Sequence, residues 1–171
     1  MLFLKLLQSL ISTLNSAGTP RQIAAGFALG AALGLTPLVN VHNLVVLALA
    51  CLLNVSFGAF LLGWTIFVPA GFLLDPLFHP IGLALLQAPS LTGFWTTLAN
   101  TSGVPLTNFN NSVVLGSLLV WLVLWLPIYF VSRVLVVKYR VHVYERLKKT
   151  RVFKAIGASK LYNYYTMFRP S

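Results

Sequence analysis

Asp75 and His79 lie four residues apart, so a helix would bring both onto one face. A carboxylate and an imidazole placed this way can pass a proton or grip a cation. Asp75 is the one formal charge between Arg21 and Arg133. A polar group inside an apolar segment is costly to bury without a partner, which marks it as a functional candidate. Asp75-Pro76 also reads as an N-cap followed by proline at the first helical position, and that capping role leaves room for a second one. His79 precedes Pro80, which biases its backbone toward extended conformations and would break the helix that pairs it with Asp75. A second cluster comprises Thr36, Asn40, His42 and Asn43, gathered around Thr36-Pro37. Its hydroxyl, amides and imidazole suit hydrogen bonding to a polar headgroup. Arg21 follows Thr19-Pro20 at a helix start, where the guanidinium and the helix N-terminus would together favour an anion. The other reading of Arg21 is a topology anchor.

Other chemistry is poorly supplied. The three histidines, the single Cys51 and the two acids show no H-E-x-x-H or comparable spacing for a metal. G-x-S-x-G is missing, so a nucleophile elbow has no local signature. The second acid, Glu145, stands among basic residues far from Asp75, so a carboxylate dyad cannot form. The expectation is a protein that is not an enzyme and holds no metal and no cofactor. Its substrate contacts would be Arg21, Thr36, Asn40, His42, Asn43, Asp75 and His79.

The elements that must position these residues belong in a membrane. The 171 residues are 58% hydrophobic and 8% charged, with a mean hydropathy of +0.86. Soluble domains carry about 25% charged residues, so 8% cannot cover a water-facing surface. The net charge of +10 comes from twelve basic residues, ten of which fall in 133–169. That distribution marks a basic aqueous tail rather than a nucleic-acid surface. Residues 138–171 form this tail, suited to anionic lipid headgroups. Residues 1–17 place Phe3, Leu7, Leu10 and Leu14 at helical spacing, which predicts an amphipathic helix lying in the interface. The membrane domain is 18–137.

Within it, apolar pieces run over about 20–35, 38–53, 57–74, 76–88 and 112–136, with an uncharged polar stretch at 89–111. A full crossing needs about 20 apolar residues, and several pieces fall short. The positive-inside rule puts both termini in the cytoplasm, which requires an even number of crossings. Two topologies satisfy this. Either four pieces cross, or only 57–74 and 112–136 cross while 20–53 and 76–103 form re-entrant hairpins. A shift of 56 residues makes ten of 44 positions identical between 19–62 and 75–118. Opposed units at 19–74 and 75–136 would form an inverted repeat, a pattern of transporter-type membrane proteins. Gly26, Gly30 and Gly34 recur every four residues, so another helix backbone can approach closely.

The opening Pro20, Arg21, Ile23, Ala24, Gly26, Ala28 and Gly30, continued by Gly34, Pro37 and Asn54, fits a P-R-x-I-A-x-G-x-A-x-G pattern followed by G-x-x-P. Over about residues 18–86 the chain resembles a family of small bacterial inner-membrane proteins known mainly as a domain of unknown function. The resemblance implies location and fold, not an activity. The resulting expectation is an all-α, polytopic, multi-pass protein of the bacterial inner membrane with short broken or re-entrant helices. It would transport or handle a small solute or lipid, as a homo-oligomer without nucleic-acid partners. The alternative is a non-transporting scaffold or assembly factor whose glycine face packs against a partner.

Overall fold

The computed structural model describes Thr13 and residues 18–144, with side-chain surroundings to residue 141. Apart from Thr13, the interfacial helix expected over 1–17 and the tail beyond 144 lie outside the described residues. Among these residues every regular element is helical. They are α1 (Pro20–Leu35), α2 (Val41–Leu52), α3 (Phe57–Leu86), α4 (Thr92–Asn100) and α5 (Ser112–Lys138). Short 3-10 turns at Pro89–Leu91 and Val104–Thr107 flank α4, and a π-helical turn, Tyr139–Tyr144, extends α5.

The start of α1 follows from its sequence. Thr19 Oγ1 accepts the Gln22 N–H at 3.3 Å, and Gln22 Oε1 accepts the Thr19 N–H at 2.7 Å. This reciprocal capping box satisfies donors that no helix turn can reach, and Pro20 loses nothing at the first position. The helix ends at Leu35, because Thr36 is extended at φ −101° and ψ 148° before Pro37.

Helix α1 is the centre of the molecule, packed against α3 and α5. Its glycines lie directly on the backbone of α3: Gly26 on Ser56 and Phe60, Gly30 on Phe60 and Trp64, Gly34 on Trp64 and Phe67. These partners advance together, so α1 and α3 run parallel. Helix α3 answers with Gly63 on Phe27 and Gly71 on Gly34. Helix α5 runs back the other way. It meets α3 at Gly82 and Gly116. Midway, Trp121 Nε1 donates to the Ala28 carbonyl at 3.0 Å. Val136 packs with Ile23 and Ala59, and Arg140 Nη2 donates to the Gly18 carbonyl at 2.8 Å. Both ends of the described chain therefore share one end of the bundle, here the near end.

Helix α2 returns the chain to that end. Gln22 Nε2 donates to Asn54 Oδ1 at 2.7 Å, and the Ser56 N–H donates to the Gln22 carbonyl at 3.0 Å. Helices α1 and α2 thus form a hairpin whose tip points to the far end. At 1.5 Å per residue, α1 is about 24 Å long and α2 about 18 Å. Among the described residues, only α3 and α5 are long and apolar enough to cross a membrane.

Two expectations are corrected. Residues 57–74 and 76–88 are not separate pieces: α3 is one 30-residue helix with Pro69, Pro76 and Pro80 inside it. Asp75 is therefore not an N-cap, and 76–86 does not turn back as a half-length hairpin. The physical reason is relative cost. A proline removes one helix bond, whereas ending a helix in apolar surroundings strands several backbone groups. The repeat is corrected with it. The contact of Gly26 with Ser56 does recur, 56 residues on, as Gly82 with Ser112. But α1 and α3 meet in parallel, whereas the end of α3 meets α5 antiparallel, so no rotation superimposes the two units.

The uncharged stretch 89–111 carries α4 and caps the far end. Trp95 Nε1 donates to the Leu85 carbonyl at 2.9 Å, and its ring stacks on Phe109 at 5.9 Å. Gly103 at φ 84° and Asn108 at φ 54° make the turns there, and these residue types tolerate the left-handed region best.

Candidate functional site

The hairpin tip gathers Thr36, Asn40 and Asn43, all buried. Asn43 Nδ2 donates to the Pro37 carbonyl at 2.8 Å and the Leu38 carbonyl at 3.1 Å. Its Oδ1 receives the Thr36 hydroxyl at 2.8 Å. That hydroxyl also faces the Ala32 carbonyl at 2.8 Å, so one proton serves two acceptors. Asn40 Nδ2 donates to the Pro37 carbonyl at 2.7 Å, and its Oδ1 receives Asn108 Nδ2 at 2.8 Å. These amides are occupied in holding the turn. They satisfy carbonyls of the turn that follows α1, a need any turn in apolar surroundings must meet. His42 is half-buried beside them, and its Nε2 has no hydrogen-bond partner among the described residues.

Beside the tip, residues 33–38 and the α3 residues Val68, Gly71, Phe72 and Asp75 line a cleft of about 190 Å³. Asp75 is half-buried and is the one acid among the described residues. Two prolines shape the backbone polarity here. Pro37 has no N–H to give the Leu33 carbonyl, and Pro76 has none to give the Phe72 carbonyl. Both Leu33 and Phe72 line the cleft. The C-terminal end of α1 adds the negative pole of its dipole.

The expected contacts divide into three groups. Thr36 and Asp75 share the cleft, with Asn40 and Asn43 in the turn behind it. Arg21 is exposed at the near end, separated from Thr36 by the length of α1. His79 stands one turn beyond Asp75 on an unbroken helix, and its Nδ1 is paired with Ser112 Oγ on α5 at 2.6 Å. Pro80 does not break the helix as the sequence suggests. Gly26, Gly30 and Gly34 are covered by α3 within the same chain, so they offer no open face to a partner.

Sequence reasoning missed Asn108, which reaches 68 residues back to Asn40. No spacing signals such a pairing, although an Asn in a Gly/Pro-rich turn is a standing candidate for the left-handed region. It also missed Leu33 and Phe72. The signal available was each proline's position four residues later.

The family model described as "Uncharacterized protein conserved in bacteria (DUF2062)" matches residues 5–145. A relative from Treponema pallidum (strain Nichols), described as an uncharacterized protein, is 27% identical over 153 residues. The alignment covers 88% of this chain and 93% of the relative. No solved structure matches the chain. The family match takes in every helix described above, and the chain belongs to the DUF2062 family of bacterial proteins.

Proposed function

We propose that this chain is an integral protein of the bacterial inner membrane that handles a small solute or lipid at the cleft beside Asp75, without covalent chemistry. Helices α3 and α5 cross, and the α1–α2 hairpin enters and leaves at the near end. The near end carries Arg21, Lys138 and Arg140, and the positive-inside rule makes it cytoplasmic. Asp75 lies 18 residues past Phe57, about 27 Å along α3. That distance is close to the ~30 Å thickness of a bilayer core. The cleft therefore opens near the outer edge of the membrane.

The observation that carries this reading is the placement of the single described acid in a cleft between a hairpin tip and a crossing helix. At that level a carboxylate can meet both water and lipid headgroups, and its seat in a cleft rather than on an open helix face suits a polar ligand. One copy packs α1 tightly between α3 and α5, so passage across the membrane would use movement of the hairpin or a path between copies. Exposed apolar side chains along α2, α3 and α5, such as Leu44, Phe72 and Val123, suit lipid or a second copy. The scaffold alternative drew on a glycine face and on the basic tail, and of these the glycine face is covered by α3.

The test is a proteoliposome assay that follows release of trapped amines and the sidedness of fluorescent phospholipids. Wild type should accelerate one of them, and Asp75→Asn should abolish the effect while eluting as a folded protein. Equal rates for the variant and the wild type, or for wild type and empty liposomes, would end this reading.

A further inference from the structure

Among the residues that line the cleft, Asp75 is the one that carries a charge. Asp75 contributes a carboxylate, and the C-terminal residues of α1, at the negative end of its dipole, line the same space. Pro37 and Pro76 each deny a helix N–H to the carbonyl four residues earlier, at Leu33 and Phe72, and both residues line the cleft. Thr36 has one hydroxyl proton between two acceptors, Ala32 O and Asn43 Oδ1. The Asn40 and Asn43 amide donors are spent on the Pro37 and Leu38 carbonyls. No basic side chain lines the cleft. In a protein of net charge +10, this cleft is lined by an acid and by no base.

We propose that this cleft binds a monovalent ammonium group. The inference rests on the reading of the cleft as the working site and names the class of ligand it takes. An ammonium has three donors and no acceptor, which suits a carboxylate in a cleft that a helix C-terminus helps to line. Anionic ligands would meet only like charge and the negative end of a helix. The cleft is smaller than the roughly 300–1,000 Å³ of sites that enclose a drug-sized molecule, so it admits a headgroup terminus rather than a whole lipid. Its rim includes Leu38, 54% exposed, and Phe72, 72% exposed. Such a rim opens toward acyl chains and lets the rest of a lipid remain in the bilayer. The ammonium can therefore come from an aminophospholipid or from a free amine.

The purified full chain in detergent separates these sources by thermal unfolding. Short-chain phosphatidylethanolamine, short-chain phosphatidylglycerol and free ethanolamine are titrated in parallel. The ethanolamine lipid should raise the melting temperature, and the glycerol lipid should raise it at concentrations at least tenfold higher. Ethanolamine acting as well as the ethanolamine lipid would identify a soluble amine; a response to the lipid alone would identify the membrane as the source. Asp75→Asn should remove the preference, and Asp75→Glu should restore most of it, which guards against a folding defect in the first variant. Equal responses to the two lipids, or a preference that survives Asp75→Asn, would overturn the proposal. The proteoliposome assay fails separately. Asp75-dependent movement without ammonium preference would remove this inference and leave the function. Ammonium preference without movement would do the reverse.

Discussion

Thr36-Pro37 and Asp75-Pro76 are alike in sequence, each a short polar residue before a proline. Yet α1 stops at the first and α3 runs through the second. A third such pair, Thr19-Pro20, starts a helix. The dipeptide does not decide among starting, stopping and continuing. What decides is whether nearby side chains can donate to the carbonyls of the turn that a break would create. At the hairpin tip, Asn40 and Asn43 donate to the Pro37 and Leu38 carbonyls, and Thr36 donates to Ala32. At Asp75 the local polar group is an acceptor, and residues 68–82 otherwise offer only His79. A break there would leave orphaned groups in apolar surroundings, at several kcal/mol each. The helix therefore accepts the loss of single bonds at its prolines.

The largest expected effect tests the packing that holds the tip in place. Gly30→Leu would drive a side chain into the Phe60 carbonyl and the Trp64 backbone. Backbone cannot step aside as a flexible side chain can, so the loss should be about 3 kcal/mol or more, beyond ordinary overpacking. Gly93 meets nothing within 4 Å of an added Cβ. Gly93→Ala should stay within about 0.5 kcal/mol, as exposed substitutions usually do. Thermal unfolding in detergent measures both. Comparable losses in the two variants would mean that α1 and α3 do not meet through glycine.

Next in size is Asn43→Leu, which acts on the comparison itself. It removes the donors to the Pro37 and Leu38 carbonyls and the acceptor that faces Thr36. Each of the three groups keeps a second partner, from Asn40 Nδ2 at the Pro37 carbonyl, from the Asn40 N–H at the Leu38 carbonyl, and at the Ala32 carbonyl for the Thr36 hydroxyl, so the cost is three net hydrogen bonds at about 0.5–1.5 kcal/mol each, or about 2–4 kcal/mol. Increased protease cleavage near residue 38 should accompany it. A variant as stable and as resistant as wild type would show that the turn does not depend on side-chain donors. Asn108→Ala should follow at about 1 kcal/mol, because it loses one amide contact with Asn40 and places alanine at φ 54°. Asn108→Gly relieves the backbone part alone, so it should fall between wild type and alanine.

Much of α1 was legible in the sequence. The capping box at Thr19 and Gln22, the stop before Pro37, and the glycine spacing all act through neighbours a few residues away. The sequence also marked α5 within two residues of its end. The far half was less legible. Asp75-Pro76 carries a helix-start signal that is overridden by the surroundings, which the local pattern does not encode. The 56-residue similarity did locate two equivalent close contacts, Gly26 with Ser56 and Gly82 with Ser112. It could not tell parallel from antiparallel, because a small-residue crossing is compatible with either. Of the candidate site, Thr36 and Asp75 were found at their cleft, while Arg21 was separated from them by the one quantity easily computed, the length of α1.

The smallest expected effect on stability is the one that most sharpens the comparison. Pro76→Ala restores an N–H four residues after the Phe72 carbonyl. If α3 is continuous, the new bond adds to an existing helix, and stability should be unchanged or rise by up to about 1 kcal/mol. Pro37→Ala restores an N–H after Leu33 but at a position where Thr36 is extended and the chain must turn. There the new bond competes with the turn, so the variant should lose stability. Opposite signs from the same substitution at two prolines would separate a tolerated proline from a working one. The pair also reaches the cleft. A Phe72 carbonyl bonded to residue 76 is a poorer ligand for an ammonium, so Pro76→Ala should weaken the ethanolamine response several-fold while leaving the fold intact. A Pro76→Ala protein that is stable yet binds as wild type would confine the acceptor set to Asp75 and the end of α1.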